Sequence, residues 1–75
     1  MTIQQLRAAY KATPFRPFTI HMADGRTFPI PHPDFISMSP SGRTVIVYQD
    51  DDNFSILDLL LMTEIDMSSA PASRN

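Results

Sequence analysis

The chain has 75 residues, enough for one domain, with no cysteine and a formal net charge of −2. A domain this small buries only about 60% of the surface of its unfolded chain; without cysteine no disulfide can compensate, and no thiolate chemistry is available. The opening residues, Thr2 to Gln5 after the starting Met, lack a basic segment with a long apolar run behind it, so a signal peptide is not expected. The longest apolar run, Leu59 to Met62, is far too short to cross a bilayer. These features lead to the expectation of a soluble, cytoplasmic protein without a membrane segment.

Charge is unevenly distributed. Residues 1–43 hold Arg7, Lys11, Arg16, Arg26 and Arg43 against Asp24 and Asp34. Residues 44–75 hold Arg74 against Asp50, Asp51, Asp52, Asp58, Glu64 and Asp66. Two solvated faces would account for this; so would opposite poles suited to self-association or to an anionic partner at the basic end.

Thr2 with Gln5 three residues later is a capping-box pattern. Ile3, Leu6 and Tyr10 follow at helical spacing, with Ala8, Ala9 and Ala12 as good helix formers. The spacing predicts a helix over residues 3–12, with a basic strip of Arg7 and Lys11 and an end at Thr13-Pro14. "PFRPF", Pro14 to Phe18, reads as a stiff connector anchored by its two aromatic residues.

Phe18 to Met22 alternates as a strand with one apolar face. The return segment fixes its own turn. A two-residue Asp24-Gly25 loop would place Phe28 on the wrong side, opposite His21. A three-residue loop, Ala23-Asp24-Gly25, sets Ile20 against Phe28 and Phe18 against Ile30, with Gly25 in the left-handed region. Pro29 and Pro31 cannot donate to a ladder, so this second strand is expected at an edge or sharply bent, running on through Phe35, Ile36 and Met38. The turn "SPSGR", Ser39 to Arg43, leads to Thr44–Tyr48, the strongest strand signal in the chain. "QDDDN" reads as a hairpin loop, Phe54–Leu57 as a fourth strand, Asp58 to Met62 as a short turn, and Thr63–Met67 as the last strand. Residues 68–75 read as a disordered tail outside a single domain over 1–67.

One helix followed by five short strands predicts a mainly β fold: a strongly bent, five-stranded antiparallel small barrel of the SH3 or Sm-like kind. Over residues 2–67 this order of elements, with Gly25 in the first turn, resembles bacterial Sm-like proteins. That resemblance implies RNA binding, for which the basic candidates are Arg7, Lys11, Arg16, Arg26 and Arg43. "PHPDFISM" stands where Sm-like proteins carry the Asn and Gly signatures of their uridine pocket. The phrases "PFRPFTI", "ADGRTF", "PHPDF", "SGRT" and "LDLLL" are similar to a group of small uncharacterised bacterial proteins, a likeness that implies no activity.

His21, His32 and Asp34 would make a two-histidine, one-carboxylate metal set if the second strand folded back over the first. Nothing in their spacing requires it. The preferred reading of "IPHPDF" is a stiff bend, with Asp34 capping it, Phe35 plugging the core and His32 in solvent. "DDDN" lacks the glycine and terminal glutamate of a calcium loop and reads as a solvated tip. No nucleophile elbow, phosphate loop or catalytic carboxylate pair is present in the sequence, and neither a cofactor nor an enzyme activity is expected. The excess of apolar residues after Thr44 carries more information. "TVIVY" and "FSILDLLLM" have large side chains on both faces. The surface of Val45, Val47, Leu59, Leu60 and Leu61 is therefore the candidate interface. It fits a non-catalytic interaction module that forms a homo-oligomer or binds a protein partner.

Overall fold

The computed structural model describes residues 2–49 and 53–67. The expected tail over 68–75 and the tip of the acidic loop, Asp50 to Asp52, lie outside them. The elements in order are helix α1 (Ile3–Tyr10), strands β1 (Phe18–Met22) and β2 (Thr27–Ile30), a 3-10 turn (Pro33–Phe35), β3 (Ile36–Met38), β4 (Thr44–Tyr48), β5 (Phe54–Asp58), a second 3-10 turn (Leu59–Leu61) and β6 (Met62–Asp66). The fold is mainly β.

Helix α1 begins as the capping box requires. The Gln5 amide donates to Thr2 Oγ1 at 3.2 Å, and the Thr2 amide to Gln5 Oε1 at 3.0 Å. The helix stops two residues short of expectation, with Lys11 as its C-cap. At eight residues it is about 12 Å long and buries only Leu6 and Ala9 completely. The Thr13–Pro14 peptide bond beyond it is cis. Phe15 then rests against Phe18, with ring centroids 5.9 Å apart, so the connector is anchored by both aromatics.

The first hairpin has the register that its apolar phase demands: Phe18 pairs with Ile30 and Ile20 with Phe28. The Met22 carbonyl accepts from Gly25 and the Met22 amide donates to Arg26, which encloses a loop of Ala23, Asp24 and Gly25. Gly25 has φ +92°, a left-handed conformation that costs glycine little.

The bent second strand is replaced by two strands. Pro31 and the 3-10 turn interrupt it, leaving β2 and β3 in different sheets. The result is six strands in two three-stranded sheets, ordered β2-β1-β6 and β3-β4-β5, in place of a continuous five-stranded barrel. The physical cause lies in the prolines. Pro29 and Pro31 supply no amide to a ladder, and the bend is closed instead by the Phe35 amide donating to the His32 carbonyl at 3.0 Å. The turn's N-cap is His32, which makes no side-chain cap, and Asp34 lies within its first turn, while Phe35 packs against the core.

Both sheets turn their apolar faces to one core. β1 contributes Phe18, Ile20 and Met22, β4 contributes Val45 and Val47, and β5 contributes Leu57; Leu6 of α1 reaches the same cluster. No polar or charged residue is buried in it among the described residues. No described helix is long and apolar enough to cross a membrane.

Candidate functional site

The surface of interest comes from the phase of the β4–β5 hairpin. Val45 pairs with Leu57 and Val47 with Ser55 on the inward face, whereas Ile46 pairs with Ile56 and Tyr48 with Phe54 on the outward face. Val45 and Val47 are 0% exposed. They are core residues and cannot form an interface, and Leu59, also buried, joins them. This corrects the expected surface. Of the five candidates, only Leu60 and Leu61 stand exposed, on the 3-10 turn before β6.

The exposed apolar surface lies instead on residues that the sequence reading passed over. Phe54 is 57% exposed, Ile56 65% and Tyr48 41%, with Ile46 half-buried between them. The Tyr48 and Phe54 rings sit 6.4 Å apart in a tilted pair across the two strands. The arrangement opposes the usual gradient of burial. β5 turns Ser55 and Leu57 inward and gives its phenylalanine and isoleucine to solvent. Fully burying either would be worth about 1.5–3 kcal/mol. A shallow groove of about 270 Å³ continues the surface past Tyr48 toward Pro31 and Phe35.

An ion pair marks one end of this hairpin. Arg43 donates through Nε to Asp58 Oδ1 at 2.9 Å and through Nη2 to Oδ2 at 3.1 Å. Asp58 also caps the second 3-10 turn by accepting from the Leu60 amide at 2.9 Å. The Arg43 hydrogen bonds, then the Leu60 amide, hold the Asp58 carboxyl below its ordinary pKa, and Asp58 in turn raises that of Arg43. A carboxyl depressed in the fold contributes stability above its unfolded value, and loses it as pH falls through the folded one. The thermal midpoint difference between wild type and Asp58→Asn should therefore be constant from pH 7 to about pH 5 and shrink below about pH 4. A pH-independent difference in thermal melts would exclude this role.

Two of the five basic candidates are engaged by carboxylates. Arg43 is held by Asp58, and Arg26 by Asp24, with Nε 2.8 Å from Oδ2. Lys11 lies 5.9 Å from the centroid of the Tyr10 ring. The Arg26 contacts also hold the Asp24 carboxyl below its usual range, the backbone amide of Arg26 contributing most.

The three possible metal ligands do not form a group. No cluster of three or more histidine, cysteine or acidic residues suited to a metal ion occurs among the described residues. His32 and Asp34 are exposed at the proline bend, while His21 points its Nε2 toward Asp66 at 3.6 Å. A second groove, about 490 Å³, separates Ala8 and Ala9 of α1 from Thr63 and Ile65 of β6.

Comparison of the chain with family models, with curated proteins and with solved structures finds no match.

Proposed function

We propose that this chain is a non-catalytic interaction module, and that its working surface is the outward face of β4 and β5. The two sheets are read as the halves of a small, strongly bent barrel of the SH3 or Sm-like kind, with β2 and β3 as the two arms of one interrupted strand. The observation that carries the reading is the inverted phase of β5: a 75-residue chain with little interior leaves Phe54 and Ile56 in water while Ser55 is turned inward. Departures from the local burial rule concentrate where function requires them. An open apolar face rimmed by the polar Asp58, Arg43 and Gln49 has the composition of a protein-docking surface.

The test is whether the face is open and dispensable for folding. An apolar fluorescent dye should bind the native protein and lose most of its signal in the double variant Phe54→Ser/Ile56→Ser. That variant should lose no more than its two cross-strand pairs, about 2 kcal/mol. Unchanged dye binding, or a larger loss of stability, would overturn the reading.

The exposed Tyr48–Phe54 pair gives a second reading some support, since single-stranded nucleic acid stacks on such rings. Against it, Asp50, Asp51 and Asp52 follow Tyr48 by one residue and would repel a phosphate backbone there. Titration with a mixed single-stranded RNA pool at two salt concentrations decides the matter: no affinity at low salt eliminates RNA binding.

A further inference from the structure

Four strands pair on one side only among the described residues: β2 and β6 in one sheet, β3 and β5 in the other. Unpaired edges invite association, and proteins blunt them with proline, lysine, bulges, charge or very short strands. Three of the four edges carry such a device. β2 contains Pro29, β3 is only three residues long, and β6 has a register shift against β1 and an exposed Glu64. β5 has no proline, lysine or bulge, its one charge is the terminal Asp58 already paired with Arg43, and its pairing with β4 runs unbroken from Thr44–Asp58 to Tyr48–Phe54.

The ladder also settles which backbone groups face that open edge. The Gln49 amide donates to the Asn53 carbonyl at 2.7 Å, and the Leu59 amide to the Arg43 carbonyl at 2.9 Å. Antiparallel pairs alternate between bonded and non-bonded. Ser55 and Leu57 therefore bond to β4, and Phe54 and Ile56 direct their N–H and C=O groups outward, as Asp58 does its N–H; the Asp58 carbonyl opens the second 3-10 turn. The same three residues carry the outward-facing side chains. An unpaired backbone edge and an exposed apolar stripe thus coincide on one strand.

We propose that β5 pairs with β5 of a second copy, antiparallel about a two-fold axis at Ile56, to give one continuous six-stranded sheet. The proposal rests on the interaction reading above and names its occupant and geometry. Ile56 then lies opposite its own counterpart, and Phe54 lies opposite Asp58 of the second copy. Charge selects this orientation. One end of the hairpin carries three consecutive aspartates in its loop, the other the guanidinium of Arg43, 60% exposed. An antiparallel two-fold brings the Gln49 and Asn53 end of each hairpin toward the Arg43–Asp58 pair of the second copy and keeps the two such ends apart; a parallel arrangement would set them side by side. Arg43 spends Nε and Nη2 on Asp58, which leaves its other terminal nitrogen for a carboxylate from the second copy. The stripe is also self-complementary, being apolar at its centre and without charge between Phe54 and Leu57. A strand edge with a few side chains is a small interface, so the dimer is expected to be weak and concentration-dependent.

The experiment combines light scattering with amide hydrogen exchange on the full chain at about 10 μM and about 1 mM, a range that brackets weak association. The apparent mass should rise from one chain toward two. Exchange at Phe54, Ile56 and Asp58 should slow at the higher concentration by about tenfold, following the bound fraction. The variant Ile56→Pro removes an amide that β4 does not use, so the hairpin should survive and association should be lost. Association that persists in Ile56→Pro, or that leaves the Ile56 amide unprotected, would overturn strand pairing while the open face stands. A single chain at every concentration would overturn the second copy as occupant. The wild-type exchange data decide the question even if the proline variant fails to fold.

Discussion

Substituting Phe18 by alanine is expected to remove about a quarter or more of the stability of this domain. Phe18 is 1% exposed, begins β1 and pairs with Ile30. β1 is the central strand of its sheet, with β2 on one side and β6 on the other. The ring also carries Phe15, and through it the connector from the helix. Truncating a buried phenylalanine costs about 3–5 kcal/mol, from lost transfer energy and the cavity left behind. At about 0.05–0.15 kcal/mol per residue, a chain of this length has about 4–11 kcal/mol in total. Urea unfolding should show a much lower midpoint, and at the lower end of that range the variant is largely unfolded in water. Phe54→Ala is the internal control. It is the same residue type on the outward face of β5, and in dilute solution it should cost no more than its cross-strand pair with Tyr48, about 1 kcal/mol. If Phe54→Ala were as damaging as Phe18→Ala, the inverted phase of β5 would be wrong, and the proposed surface with it.

That contrast also marks where the sequence stopped being informative. The register of the first hairpin was legible because only one loop length brings Phe18, Ile20, Phe28 and Ile30 to one face. The helix start was legible because Thr2 and Gln5 satisfy each other's backbone groups locally. The β4–β5 hairpin offered no such discrimination. Thr44, Ile46 and Tyr48 make as plausible an inner face as Val45 and Val47, and in β5 hydrophobicity alone favours burying Phe54 and Ile56 over Ser55 and Leu57. A slip of one residue exchanges the two faces completely. What decides the phase is distant in sequence: Ile36 and Met38 of β3 pairing with Val47 and Val45, and Arg43 meeting Asp58 across 15 residues. The split of the second strand was half legible. Pro29 and Pro31 announced a bend, but the 3-10 turn depends on the Phe35 amide finding the His32 carbonyl, which no residue type specifies.

The second large effect concerns the docking of the helix. Gly42 has φ +80°, in the turn that leads into β4. A Cβ placed there would lie 2.5 Å from both Cγ1 and Cδ1 of Ile3, and 3.2 Å from its Cβ. Gly42→Ala is therefore expected to combine two penalties. The left-handed backbone costs an alanine about 1–2 kcal/mol. The overlap must then be relieved by moving Ile3, whose branched Cβ is itself crowded, and overpacking of this kind costs about 1–3 kcal/mol. Gly25 supplies the comparison. Its φ is +92°, but a Cβ there meets nothing within 4 Å, so Gly25→Ala should show the backbone penalty alone. Chemical denaturation should rank Gly42→Ala below Gly25→Ala by about 1 kcal/mol or more. Adding Ile3→Ala to Gly42→Ala should restore part of that difference and none of the backbone penalty, a coupling expected only of residues in contact. Equal losses for the two glycine variants, with strict additivity of Ile3→Ala, would mean that α1 is not seated on the Ser39–Arg43 turn, and that the core is closed on that side by something else.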